Sequence, residues 1–335
     1  MLMLSGIERI IKMTVNWTII GTGVIANEMA TAFNQNNRNI YGVFSRNADK
    51  TRQFANKYGI NHEFSELSDV FSDDLVDAVY IATPHNTHFD IAKQAIAHGK
   101  HVLMEKAITL NKADLDTLEQ LAQQHHVVLL EAMTLVHMPL IKKIKSLITE
   151  NLLGDIKHIN VTLGSVKPYD PKNRFFNPDL GGGVLLDMGV YALSGVRYFM
   201  SEQPNNIQSF VDYAPTGVDE QSVTILHNRS GEMATVSVSL QAKQPKALTI
   251  SGTKGYIQIP EYPRAQEASW YHVDTEKTER ISEGNTDDAL FYEIADFESI
   301  INNSDNLQQY KGITDDVFSI FEKMKKSWSE QKANS

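Results

Sequence analysis

The chain is predicted to be an α/β protein. An N-terminal doubly wound, mostly parallel sheet precedes an α+β domain with an open, largely antiparallel sheet. Three observations predict this. Apolar strands alternate with helices through the first third of the chain. A glycine turn, Gly21-Thr22-Gly23, joins the first strand to the first helix. After a second glycine run, Gly181-Gly182-Gly183, strands of period two dominate.

The elements follow in order. Val15–Ile20 is rich in β-branched and aromatic residues and reads as a buried strand, followed by a helix over Ile25–Phe33. Asn39–Ser45 is a second strand, and Asp49–Tyr58 is a helix ended by Gly59. Ala78–Ala82 is a third strand, and His88–His98 is a helix closed by Gly99. His101–Glu105 is a fourth strand, Asn111 caps a helix over Ala113–His125, and Val127–Glu131 is a fifth strand. The first domain is thus expected over 13–131 and the second over 132–330. In the second, a helix over Pro139–Glu150 leads to a strand over Ile156–Leu163. One long helix then follows the glycine run. Strands are expected at Ile207–Tyr213, Ser222–Leu226, Met233–Leu240, Ala247–Ser251 and Tyr256–Ile259. Helices over Leu290–Asn302 and Ile313–Trp328 close the chain.

The 335 residues are enough for two domains and a sizeable core. A net charge of −10 argues against nucleic acid or an anionic membrane as partner. No apolar run approaches the roughly 18 residues that span a bilayer. Cysteine is absent, which excludes disulfides, thiolate catalysis and Cys-ligated metal. Met1–Lys12 is apolar but carries Glu8, Arg9 and Lys12 and no small-residue cleavage site. It makes a poor signal peptide and reads as an accessory helix or an upstream start. A cytoplasmic protein is the default expectation.

The run Gly21-Thr22-Gly23-Val24-Ile25-Ala26 has the pattern G-x-G-x-x-A at a strand-to-helix turn. This is the fingerprint of a dinucleotide site. Gly21 allows the tight turn, Gly23 lets backbone approach a pyrophosphate, and Ala26 lets helix pack on strand. An acidic residue at the end of the second strand ordinarily holds the ribose 2′-hydroxyl of NAD. Here the strand ends in Ser45-Arg46, with no carboxylate at its tip. Arg46 can fork onto a 2′-phosphate with help from the Ser45 hydroxyl, which predicts NADP over NAD. The alternative is that Arg46 is solvated and Asp49 reaches the ribose, leaving NAD possible. Thr83, Pro84 and Asn86 follow the third strand at its carboxyl end, where a nucleotide lies in such sheets.

Three further motifs recur at long separation: Thr83-Pro84-His85-Asn86-Thr87-His88, Glu105-Lys106, and Gly181-Gly182-Gly183 running through Asp187 to Tyr191. With Gly21–Ala26, this order and spacing resemble the Gfo/Idh/MocA oxidoreductase family. The chain is most similar to the branch of dimeric dihydrodiol dehydrogenases and NADP-dependent sugar dehydrogenases. The resemblance implies a Rossmann domain, a second domain whose open sheet face serves association, and a homodimer or higher homo-oligomer. It implies chemistry at Lys106 and Tyr191, substrate orientation by Asp187, and cofactor contacts by Glu105, Lys106, Thr83, Pro84 and Asn86. Many family members have His where this chain has Tyr191, and Ala107 replaces the Pro of their Glu-Lys-Pro motif.

Hydride transfer between a carbinol carbon and a nicotinamide needs a group that moves the hydroxyl proton. It also needs a positive charge near the developing alkoxide. Tyr191 and Lys106 can supply these, with Lys106 expected to lower the phenol's pKa. Asp187, four residues before Tyr191, is expected on the same helical face, where it can bind a substrate hydroxyl or orient Lys106. Arg174 precedes the glycine run and is a candidate to reach substrate, with Tyr169 a weaker one on the same loop. His88 is expected to pack or cap its helix. His85, His88, His125 and His126 lack a carboxylate set, so no metal is expected. The leading expectation is an NADP-dependent oxidoreductase of a sugar, polyol or cyclic diol. The alternatives are a non-catalytic NADP-binding regulator and a reductase of another carbonyl or imine, such as a tetrapyrrole.

Overall fold

A computed structural model describes residues 14–303 and 306–333. The proposed accessory segment Met1–Lys12 lies outside the described residues. Strand and helix alternate from the start: β1 Trp17–Ile20, α1 Val24–Gln35, β2 Ile40–Phe44, α2 Ala48–Tyr58, β3 His62–Phe64, α3 Leu67–Ser72 and β4 Ala78–Ile81. The alternation continues through α4 His88–Ala97, β5 His101–Glu105, α5 Lys112–Gln124 and β6 Leu129–Ala132. The strands form a six-stranded sheet in the order β3-β2-β1-β4-β5-β6. All its pairs are parallel. β1 and β4 are buried along their whole length, as strands covered on both faces must be.

Two helices, α6 Thr134–His137 and α7 Pro139–Thr149, lead into β7 Ile156–Gly164. After a long loop come α8 Val190–Phe199, β8 Asn206–Tyr213, β9 Asp219–His227, β10 Met233–Ser239, β11 Gln244–Gly252 and β12 Gly255–Pro260. The chain ends with β13 Glu267–His272, β14 Thr278–Ser282, α9 Ala289–Asn303 and α10 Leu307–Ala333. The second sheet has eight strands in the order β14-β13-β12-β11-β7-β10-β9-β8. It is mixed: β10 and β7 pair in parallel, and its other pairs among the described residues are antiparallel.

This is the expected α/β architecture with additions. Sequence reading omits β3 with α3, and the hairpin β13–β14. β3 is three residues with an exposed–exposed–half-buried pattern, and β14 is exposed but for Ile281. Neither carries the apolar run that marks a strand. The expected long helix also opens differently, with a π-helical turn over Leu185–Gly189 before α8 begins.

The closing helices tie the two sheets together. Trp17 of β1 packs on Phe33 of α1 and on Phe297 of α9, with ring centroids 5.4 and 5.2 Å apart. The α10 side chain Trp328 donates to the Ser209 hydroxyl of β8 at 2.9 Å. One face of the second sheet is thus covered. On the other, Phe210, Val223, Ile225 and Met233 are exposed. No helix among the described residues is long and apolar enough to cross a membrane.

Candidate active site

The carboxyl ends of β1, β2 and β4 open into a cavity of about 360 Å³. Its lining includes Gly21, Thr22, Gly23, Ser45, Arg46, Thr83 and Pro84. Gly21 has φ +116°, and a Cβ there would stand 2.4 Å from the Ala82 carbonyl oxygen. Its N–H donates to the Phe44 carbonyl at 2.8 Å, which draws the turn tightly between β2 and β4. At Gly23 a Cβ would meet nothing within 4 Å, so the space above the turn is open. α1 starts here without a side-chain cap, and its first amides face that opening. Ala26 is fully buried against the sheet, Ile25 packs at the edge of the core, and Val24 is 81% exposed. An open cradle beneath an uncapped helix start fits the pyrophosphate of a nicotinamide dinucleotide.

The ribose end is basic. Arg46 lines the cavity, and so does Lys50, a second cation that the sequence reading does not single out. Ser45 faces inward: its hydroxyl donates to the Asn47 carbonyl at 3.0 Å and lies 2.8 Å from the Thr51 hydroxyl. Asp49, the alternative ribose ligand, is outside the cavity lining and stands 3.9 Å from Arg52. Thr83 accepts a hydrogen bond from the Thr87 hydroxyl at 2.8 Å. Asn86 is exposed and lines neither this cavity nor the next.

A second cavity, of about 750 Å³, brings together Lys106, Asp187 and Tyr191. Lys106 follows directly on β5, Asp187 lies in the π-helical turn, and Tyr191 stands in the first turn of α8. The Lys106 Nζ donates to the Asp187 backbone carbonyl at 2.7 Å and to its Oδ1 at 3.2 Å. It also lies 5.0 Å from the centre of the Tyr191 ring. A π turn re-aims the backbone groups of a helix, and such turns concentrate at functional sites. Arg174 adds a second cation, 3.5 Å from the Asp187 Oδ1. It is more than half exposed and stacks on Phe175 at 4.3 Å. Tyr169 is exposed, packs edge-on against Phe176, and lies outside the cavity lining.

The electrostatics are those of a buried ion pair. Burial opposes the Lys106 charge, but Asp187, Tyr191 and Glu105 outweigh it and hold its pKa above the ordinary lysine value. Burial likewise opposes the Asp187 charge, yet Lys106 and Arg174 hold its pKa below the carboxylate range. Tyr191 corrects one expectation. Burial dominates and raises its pKa, although Lys106 and a hydrogen bond from Thr134 pull the other way. The phenol therefore stays protonated at neutral pH.

Glu105 lines neither cavity and accepts a hydrogen bond from the buried Tyr80 hydroxyl. Burial raises its pKa. His88 joins the two sites. It is fully buried, with Nε2 2.9 Å from the Thr83 carbonyl and Nδ1 3.1 Å from the Ala107 carbonyl. His85 sits above it, with Nε2 3.0 Å from the Lys106 carbonyl. Gly183, at φ +120°, makes room for Asp219, whose carboxylate accepts from the Leu185 N–H at 2.7 Å and caps the π turn. The outer wall of the second cavity is Lys246, Pro260, Glu261, Pro263, Arg264 and their neighbours, none of which the sequence reading identifies. Lys246 lies in β11, Pro260 ends β12 and the rest follow it, and no motif marks them.

An open dinucleotide cradle beside a Lys–Asp–Tyr cavity defines the class: an oxidoreductase of the nicotinamide-dependent α/β type. Comparison with known proteins agrees. The model of the oxidoreductase family with an NAD-binding Rossmann fold matches residues 15–133. That of the Gfo/Idh/MocA C-terminal domain matches residues 141–258. The chain belongs to the Gfo/Idh/MocA oxidoreductase family. A trans-1,2-dihydrobenzene-1,2-diol dehydrogenase of Xenopus laevis is 30% identical over 254 residues, 75% of this chain and 76% of the relative. The scyllo-inositol 2-dehydrogenase (NADP(+)) IolU of Bacillus subtilis (strain 168) is 28% identical over 294 residues, 86% of this chain and 88% of the relative. Among solved structures, levoglucosan dehydrogenase in complex with NADH and levoglucosan superposes with a TM-score of 0.86. It is 18% identical, covering 94% of this chain and 97% of that one. The 3-ketoreductase KijD10 from Actinomadura kijaniata, in complex with NADP and TDP-benzene, gives 0.82 at 19% identity, covering 94% and 98%. These superpositions establish the fold.

Proposed function

We propose that this chain is an NADP-preferring dehydrogenase or reductase acting at one carbon of a sugar, polyol or cyclic diol. One observation carries the reading: Lys106, 81 residues before Asp187, lines one cavity with Asp187 and Tyr191, its ammonium held on Asp187. Residues 13–131 are read as the dinucleotide-binding unit and 132–330 as the substrate-binding and association unit. Gly21–Ala26, Ser45, Arg46, Lys50, Thr83 and Pro84 would hold the dinucleotide, whose nicotinamide supplies or accepts the hydride. In the reducing direction the protonated Tyr191 gives its proton to the substrate oxygen. Lys106 stabilises the negative charge that grows on that oxygen, and Asp187 fixes the lysine's place. The wall around Tyr191 is Leu163, Pro260, Pro263 and Ala265 interleaved with charged groups. This mixture suits a hydroxyl-rich molecule better than an arene.

The test is a turnover screen with NADPH and NADP⁺ against aldoses, inositols and cyclic diols. Tyr191→Phe and Lys106→Met should each lower kcat roughly 10²- to 10⁴-fold while NADPH still binds. Near-normal turnover in either variant removes that residue from the mechanism.

Two further parts of the reading concern the whole molecule. A homodimer is supported by β9, where the apolar Val223 and Ile225 face out while Ser222 and Thr224 are buried. Apolar side chains exposed side by side on one sheet face favour a second apolar face against them. Phe210→Glu should convert a dimer into monomers in sedimentation; a wild-type chain that sediments as a monomer overturns the idea. A cytoplasmic location is supported by the need for a reduced-nicotinamide pool, and cell fractionation tests it.

A further inference from the structure

Arg264 closes the short helical turn Tyr262–Arg264 after β12, and its backbone is held from two sides. Its N–H donates to the Glu261 carbonyl at 3.2 Å, and its own carbonyl accepts from the Thr286 hydroxyl at 2.9 Å. The side chain, about a third exposed, lines the cavity that holds Lys106, Asp187 and Tyr191. From there Nη1 reaches Glu28 of α1, across the domain boundary, at 3.2 Å. A guanidinium has five N–H donors in a fixed fork. Among the described residues Glu28 is its one hydrogen-bond partner, so the fork is anchored at one corner with donors to spare. The other cation on this wall, Lys246, is held by Glu261 at 2.9 Å. The positive charge of Arg264 also acts on the Tyr191 phenol and on Glu105.

We propose that Arg264 is a specificity-determining residue of the substrate cavity. Its free guanidinium N–H groups donate to a hydroxyl oxygen of the bound polyol away from the reacting carbon, and Glu28 is a positioning residue that aims the fork. This rests on reading the second cavity as the substrate site. Because Glu28 stands one turn beyond the start of α1, the same bridge fixes the substrate wall relative to the dinucleotide cradle.

The experiment measures kcat, KM and the NADPH dissociation constant for wild type, Arg264→Gln, Arg264→Lys and Glu28→Gln, with the best substrate of the screen and its mono-deoxy analogues. Loss of a charge-assisted hydrogen bond made equally in ground and transition states should raise KM roughly 10- to 100-fold with kcat within about threefold. NADPH affinity should be unchanged. Arg264→Lys should recover part of the loss, and Glu28→Gln should show a smaller rise in KM. One deoxy analogue should be a poor substrate for wild type yet no worse for Arg264→Gln than the parent compound. A merely structural arginine would lower kcat and thermal stability together and show no such analogue. An unchanged KM in Arg264→Gln, or a penalty equal for every analogue, overturns the inference alone. A wild-type chain that turns over no polyol or sugar overturns both the inference and the reading beneath it.

Discussion

The two cavities are built from different materials. The dinucleotide cradle is made of backbone and small side chains on consecutive strand-to-helix turns, and its decisive groups are those with no Cβ. The proposed substrate cavity is made largely of charged side chains from the end of β5, the π turn, α8, β11 and the segment after β12. The first works by what is left out at Gly21 and Gly23, the second by what Lys106, Asp187, Tyr191 and Arg264 carry. The difference teaches where each is vulnerable. Adding one methyl group should break the cradle, whereas the substrate cavity should fail only when a functional group is removed.

The largest effect expected on that contrast is at Gly21. A Cβ there would meet a backbone carbonyl at 2.4 Å, and the positive φ disfavours any L side chain. Overpacking and backbone strain together put the cost of Gly21→Ala at about 3–4 kcal/mol of stability. At Gly23 φ is −75° and the surroundings are open, so Gly23→Ala should leave the melting temperature nearly unchanged. It should still weaken NADPH binding at least about tenfold, because the new methyl group projects where the pyrophosphate must approach. Thermal unfolding and fluorescence titration read the two quantities separately. Equal destabilisation by both variants would show that the turn is structural and not a cradle.

The second effect is a dependence on pH where the two sites meet. Burial and the neighbouring His85 charge outweigh the backbone hydrogen bonds with Thr83 and Ala107, which pull the other way, and leave His88 with a pKa lowered to about 4. An unfolded histidine titrates near 6.5, so between pH 6.5 and 4 the unfolded chain holds the proton and the folded chain does not. Stability from this residue is therefore fully present above about pH 6.5 and is lost as the pH falls towards 4. The loss is of the order of 3 kcal/mol across that window. His88→Gln should flatten this part of the stability curve in urea titrations at pH 4.5 and 7. A curve identical to wild type means that His88 carries no proton linkage.

The same contrast explains what was legible beforehand. Sequence reading reaches the cradle because its requirements are local: a strand, glycines at fixed spacing and a helix follow one another directly between Trp17 and Gln35. Lys106 and Tyr191 are reached because each sits on a strand end or helix start with a family motif around it. Asp187 is reached for a reason that changes in the structure. Its four-residue spacing to Tyr191 is crossed by a π turn, and its backbone carbonyl holds Lys106 more closely than its carboxylate does. Arg264, Lys246 and Glu28 escape because nothing near them in sequence says that the turn after β12 reaches both the Lys106 cavity and α1. Glu105 and Asn86 show the converse. Both stand next to site residues in sequence, but one side chain is bonded to Tyr80 and the other is exposed. The phenol's raised pKa was also out of reach, since burial, which decides it, is a property of the packed chain.

The smallest expected effect bears on the one part of the cradle that does depend on side chains. Arg46 and Lys50 line the ribose end together, while Asp49 lies outside the cavity. A 2′-phosphate there would gain a charge-assisted contact from each, and NAD would gain neither. Arg46→Ala should lower the NADP-over-NAD preference in kcat/KM roughly 10-fold, and Arg46→Ala with Lys50→Ala roughly 100-fold, at one to two orders of magnitude in total. Activity with NAD should stay within a few-fold of wild type, because the pyrophosphate is held by backbone. Raising the salt concentration should shrink the preference of wild type but not that of the double variant, since exposed charges are screened. An NADP preference that survives the double substitution would place the 2′-phosphate elsewhere, and a wild type that prefers NAD would return the ribose to Asp49.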